Sequence, residues 1–238
     1  MKDKPKVTIK SYLDKKHIWM SEILCIIFTV ITFAVAMFLV SLIVKNEAKV
    51  REYNIRVTQV KSDSIAIASA LEELESRMKI IETIKEFTKG SLPDSTLRLL
   101  SDIVYTNSER YGYDPLLLLA VINVESVFEP RALGRYRDGR LSGALGLMQL
   151  KFGTAREMAE KIGIELESKS DLFIPEVNIP LGVAYLTKQI SRFENIKLGI
   201  LSYNQGPYTI TRTLEKNQRL SIRYYNKVLD SYYKLKQL

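Results

Sequence analysis

Residues 23–44 read ILCIIFTVITFAVAMFLVSLIV, a run of 22 without a charge. As a helix rising ~1.5 Å per residue the run measures about 33 Å, the thickness of a bilayer's hydrocarbon core, so it predicts a membrane-spanning helix. A cleaved signal peptide has a shorter apolar run and a small-residue cleavage site, and neither is evident. Farther on, steps of alternately three and four residues pick out Val50, Tyr53, Val57, Val60, Ser64, Ile67, Leu71, Leu74, Met78 and Ile81, of which only Ser64 is polar. This heptad seam predicts one or two long helices over 45–90. They form a stalk that either pairs with a second copy or packs on the domain that follows. Gly90-Ser91-Leu92-Pro93 breaks the pattern.

Helical periodicity resumes at 96–111 and stops at Gly112. Asp114 then caps a helix whose first position is Pro115, where the missing N–H costs nothing, and the helix runs over 116–127. Residues 128–145, with Pro130, Gly134, Gly139 and Gly143 among several arginines, predict a loop or short hairpin. Further helical runs are expected at 146–162, 179–193, 197–203, 208–216 and 221–235. The expected organisation is a basic tail (1–22), the span (23–44), the stalk (45–90) and a mainly α domain (91–238).

Charge adds an orientation. Lys2, Lys4, Lys6, Lys10, Lys15 and Lys16 precede the span, and Lys45, Lys49, Arg51 and Arg56 follow it. The excess before the span predicts an amino terminus inside the cell, with everything after residue 44 outside. The net charge of +8 divides evenly between 1–90 and 91–238, and no nucleic-acid-binding module accompanies it. One cysteine forbids an intrachain disulfide, and Cys25 with His17 leaves too few ligands for a zinc site. Metal chemistry is not expected.

Glu125 closes the apolar run LLLLAVINVES. If it faces inward, burial and the negative end of the helix dipole both raise its pKa, which keeps a general acid protonated near neutrality. If it faces outward, it is an ordinary surface carboxylate.

The segment VESVFEPRA, followed by GALGLMQL, resembles the signature of the SLT family of lytic transglycosylases, which have a goose-lysozyme-like fold. Further segments are similar to the family's in the same order. They are Asp171-Leu172-Phe173 with Pro175-Glu176, Asn178-Ile179, Gly182 and Tyr185-Leu186, then Ser202-Tyr203-Asn204-Gln205-Gly206-Pro207, and finally Tyr224-Tyr225-Asn226-Lys227-Val228-Leu229. The resemblance implies a lysozyme-like helical catalytic domain with a short hairpin or loop insertion. It implies a substrate, peptidoglycan glycan strands, and the predicted span with its flanking charges places the chain at the bacterial cytoplasmic membrane. It makes Glu125 the sole acid and then base, forming a 1,6-anhydro sugar without added water and without a cofactor. It makes Met148 an apolar surface and Gln149 an amide in the sugar subsites. Tyr203 and Asn204 stand near the carboxyl, the Tyr203 phenol orienting Glu125 or the acetamido group, and Tyr224 closes the far side of the cleft.

The chain also departs from the family pattern. Glu125 and Gly146 are 21 residues apart, several more than the family spacing, and the extra length carries Arg135, Arg137, Asp138 and Arg140. The arginines can meet carboxylates of peptide stems or simply be solvated. Gly134 stands where the family commonly has Ser, and Ser142 is the candidate to replace it. Lys151-Phe152 stands in place of a Met-Pro pair, and Leu220 in place of a Glu. A goose-type hydrolase carries aspartates in this hairpin to position water, and Asp138 is the candidate for that role; Asp138-Gly139 also reads as a plain turn. A non-catalytic wall-binding scaffold is the third reading. Ser126 has no base within reach, since His17 lies before the predicted span.

Overall fold

The computed structural model describes the backbone of residues 9–238 and the side chains from Trp19 onward. The tail at 1–8 and the side chains of Lys10, Lys15, Lys16 and His17 lie outside the described residues. Helix α1, Ile9–Phe87, is continuous through the predicted span and stalk. By its internal contacts the chain divides after Ser69 into two units. In the first, the apolar side chains of the span are bare, Phe28 at 68% and Phe33 at 70% exposure. The helix is long and apolar enough to cross a membrane. The seam positions Val50, Tyr53, Val60 and Ile67 are exposed as well.

The second unit starts at Ala70 rather than at the expected residue 91, because the last turns of α1 pack on the domain. They do so through Ile80 and Ile84, both buried, with Phe87 packed edge-on to Phe128 at 6.1 Å between ring centres. Arg77, paired with Glu73 one turn earlier on α1, ties the same face to Asp102. The seam is therefore not the face that packs within the chain: Leu71, Leu74 and Met78 stay exposed and only Ile81 is partly covered.

Helix α2 (Asp94–Tyr111) ends on Gly112 in the left-handed region. Helix α3 (Pro115–Ser126) is capped by Asp114, whose side chain accepts from the Leu116 N–H, as its sequence predicts. Leu117 through Ile122 are all buried, so α3 is apolar on every side and runs through the core. It packs against α2 and α8 (Arg223–Lys236). Helix α5 (Pro175–Phe193) packs against α2, α4 (Phe152–Ile162) and α6 (Ile196–Gln205), and α7 (Pro207–Glu215) follows α6. A capping box opens the short 3-10 helix Lys169–Phe173 ahead of α5.

The insertion between α3 and α4 is an antiparallel sheet of β1 (Leu133–Arg135), β2 (Leu141–Leu145) and β3 (Leu150–Lys151), in that order. Asp138-Gly139 makes its tip: the Gly139 N–H donates to Tyr136 O at 3.0 Å and Gly139 has φ +84°. The helix expected over 146–162 begins only at Phe152. Gly146 (φ +76°) and Gln149 (φ +49°) bend residues 146–149 into a turn that leads into β3. The buried Asn178 side chain fixes this turn. It accepts the Met148 N–H at 2.7 Å and donates to Leu145 O and Leu172 O at 3.0 and 2.8 Å.

Candidate active site

Glu125 sits in the last turn of α3. The chain then passes through Val127 and Phe128, both at positive φ (54° and 61°), a conformation unfavourable for these side chains. Three local contacts hold it: the Ser126 hydroxyl donates to Ile122 O, the Val127 N–H to Asn123 O, and Phe128 is buried against Phe87. The strained exit ends the helix abruptly and leaves Glu125 at the wall of a cleft of about 780 Å³. The opposite walls come from the sheet and from the α6–α7 junction.

The carboxyl is enclosed by protein but reachable from the cleft. Burial pushes its pKa up from 4.5 to about 7, against the opposing pull of a Tyr224 hydrogen bond and of the Lys227 charge. Tyr224, in the first turn of α8, donates its hydroxyl to Glu125 Oε1 at 2.5 Å. It is buried behind the carboxyl rather than at the far side of the cleft, where the resemblance had placed it. Tyr203 is also buried, and its hydroxyl donates to Met148 O at 2.6 Å instead of to Glu125. Its ring lies 5.3 Å from that of Tyr185, which lines the cleft. Burial and the nearby Glu125 carboxylate push both the Tyr203 and Tyr224 phenols well above their ordinary range, so each remains a donor.

Of the other expected site residues, Ser142, Gln149 and Asn204 line the cleft and Met148 does not. Met148 is fully buried and turned into the core, where its side chain fills the space over Gly182, so it gives no apolar surface to the cleft. Gln149 spends its amide N–H groups on Ala132 O (3.1 Å) and Gly146 O (2.8 Å). Only its carbonyl oxygen is left to face Gly134. The Ser142 hydroxyl occupies the space that a side chain at 134 would need. Asp138 lies outside the cleft lining; its pairing with Arg140 holds its pKa below the ordinary carboxylate range. Tyr185 and Lys151 line the cleft and Lys227 acts on Glu125 by its charge, none of them with a site role expected from the sequence, and Asn178 enters the sequence only as part of a motif. A buried Asn in an apolar helix is the signal that points to a fixed turn.

A central apolar helix ending in a carboxyl, with a small antiparallel sheet beside it and helices around it, is the lysozyme-like helical fold. Residues 102–226 match the family model described as "Transglycosylase SLT domain". The chain belongs to this family. It is 34% identical over 141 residues to the membrane-bound lytic murein transglycosylase C of Edwardsiella ictaluri, covering 53% of this chain and 36% of that one. It is 28% identical over 172 residues to the protein of the same name from Photorhabdus laumondii, covering 68% and 46% respectively. The chain thus spans about a third to a half of the length of these relatives. Among solved structures, the 70 kDa soluble lytic transglycosylase SLT70 of Escherichia coli shares the fold. The TM-score is 0.50 at 20% identity, over 70% of this chain and 30% of that one.

Proposed function

We propose that this chain is a membrane-anchored peptidoglycan lytic transglycosylase that cleaves the β-1,4 bond between N-acetylmuramic acid and N-acetylglucosamine. The observation that carries the reading is a largely enclosed carboxyl on the cleft wall, bonded to the Tyr224 hydroxyl, whose pKa burial pushes up to about 7. Glu125 gives that proton to the glycosidic oxygen as the bond to C1 breaks, and the departing sugar leaves as an alcohol. The acetamido oxygen of the muramic acid supports the positive charge at C1. The Glu125 carboxylate, still bonded to the Tyr224 hydroxyl, takes the proton from the C6 hydroxyl. The C6 oxygen then closes onto C1, giving the 1,6-anhydro product and restoring the acid.

Ser142, Gln149 Oε1 and Asn204 supply polar contacts to the sugars. Tyr203 works indirectly, by holding the turn that carries Gln149. A hydrolase reading needs a second carboxyl about 6.5–9.5 Å away to activate water. Glu125 is the sole carboxylate among the described residues lining the cleft, and this favours the transglycosylase. The named relatives and the apolar helix support the anchor, and the lysine excess before residue 23 supports an inside amino terminus, with the catalytic domain on the periplasmic or outer side. The exposed seam supports a homodimer through the stalk.

Digestion of purified peptidoglycan followed by mass spectrometry of the muropeptides tests the reading. It predicts products lighter by one water than reducing-end muropeptides, and none from Glu125→Gln. Reducing ends alone would replace it with the hydrolase.

A further inference from the structure

The hairpin tip places Arg135, Arg137 and Arg140 within six residues, and the chemistry above gives them no task. Their surroundings separate them. Arg140 is neutralised: Nε and Nη2 reach Asp138 Oδ2 at 2.9 and 2.8 Å, and the backbone N–H reaches Oδ1 at 3.0 Å. Arg137 is exposed and is not among the residues lining the cleft. Arg135 spends one Nη1–H on Gly139 O at 3.0 Å, and its Nε and Nη2 have no partner among the described residues. Arg135 is among the residues lining the cleft that holds Glu125.

Lys151 lines that cleft too, at the end of β3. Arg135 and Lys151 thus come from the two outer strands of the sheet, and Lys151 has no ion pair among the described residues. Among the described residues the sole carboxylate lining the cleft is Glu125, which must hold its proton to act as an acid. The cleft rim is therefore cationic without internal compensation. Neutral sugar hydroxyls gain little from two such cations. A carboxylate gains a charge-assisted pair, bidentate in the case of arginine. On an intact glycan strand each lactyl carboxyl is tied up in the amide to its peptide stem, so the carboxylates it brings to this cleft are those of the stems.

We infer that Arg135 and Lys151 form a carboxylate-binding rim that selects glycan strands bearing peptide stems; the inference rests on the peptidoglycan reading above. Exposed pairs of this kind contribute modestly and are screened by salt. Each cation then changes the preference about three- to fivefold and the pair about tenfold.

The test uses the full chain in detergent with two substrates, intact peptidoglycan and the same strands stripped of stems by an amidase and then coupled to methylamine, which caps the lactyl carboxylates that the amidase frees. Both the initial cleavage rate and cosedimentation are measured, at about 50 and 300 mM salt. The expected result is an intact-to-stripped ratio that falls about tenfold in Arg135→Gln/Lys151→Gln and falls at high salt in the wild type. Arg135→Lys should retain part of the preference. A ratio equal in wild type and double variant, in both readouts, overturns the rim. If the wild type cleaves neither substrate, the catalytic reading fails while the cosedimentation ratio still decides the rim.

Discussion

Replacing Tyr224 by Phe removes one hydroxyl and leaves a buried ring of the same shape, so it isolates the hydrogen bond to Glu125. That bond favours the charged carboxylate and opposes the effect of burial. A hydrogen bond to a charged group is worth about 1.5–3 kcal/mol, part of which the neutral acid also enjoys. A differential of about 1.4 kcal/mol is one pKa unit, so the Glu125 pKa should move from about 7 to about 8. The sign matters: with a weaker stabiliser of the anion, the acid form persists to higher pH. Initial rates of soluble anhydro-muropeptide release between about pH 5 and 9 read this directly. The alkaline limb of kcat/KM should shift up by about one unit. A limb that stays in place or moves down, even with a lower rate at every pH, would leave Tyr224 as a packing residue and refute the reasoning.

Three further outcomes follow from the geometry. Glu125→Gln should stabilise the domain above pH 7. The folded-state pKa is raised, so stability is complete below about 4.5 and is lost as pH rises toward 7. After discounting for water in the cleft this is about 2 kcal/mol, or about 4–8 °C in Tm at pH 8, with no gain at pH 4. Gly146→Ala places a Cβ on the Leu172 carbonyl and the Asn178 amide at positive φ, and should cost about 3–5 kcal/mol by thermal denaturation. For the stalk, Ile67→Cys in a Cys25→Ser background should form a disulfide dimer in oxidised membranes while Ser69→Cys should not; equal yields would remove the paired seam.

Local rules made much of this legible. The Asp114-Pro115 cap, the bare span and the Asp138-Gly139 turn are each decided by residues close in sequence, and the structure repeats them. The turn at 146–149 was hidden because Gln149 takes positive φ only under the tertiary hold of Asn178, about thirty residues away in sequence. The two tyrosines depart from the roles expected of them for a related reason: Tyr224 rather than Tyr203 bonds Glu125, and Tyr203 bonds the Met148 carbonyl. Sequence places a phenol near the carboxyl, but the direction of its hydroxyl depends on which helices meet behind Glu125. Met148 turned inward because Gly182 leaves a space that its side chain fills. The C-terminal turns of α1 joined the domain through Ile80 and Ile84, positions that a seam drawn from Val50 does not contain.

The most direct test of the account is the titration of the Glu125 side chain itself. It can be followed by carbon NMR of protein labelled at the glutamate carboxyl and assigned by loss of the signal in Glu125→Gln. The expected midpoint is near 7 in the free protein, and it rises when either Tyr224 or Lys227 is removed. A midpoint near 4.5, the ordinary value for a solvated glutamate, would contradict it.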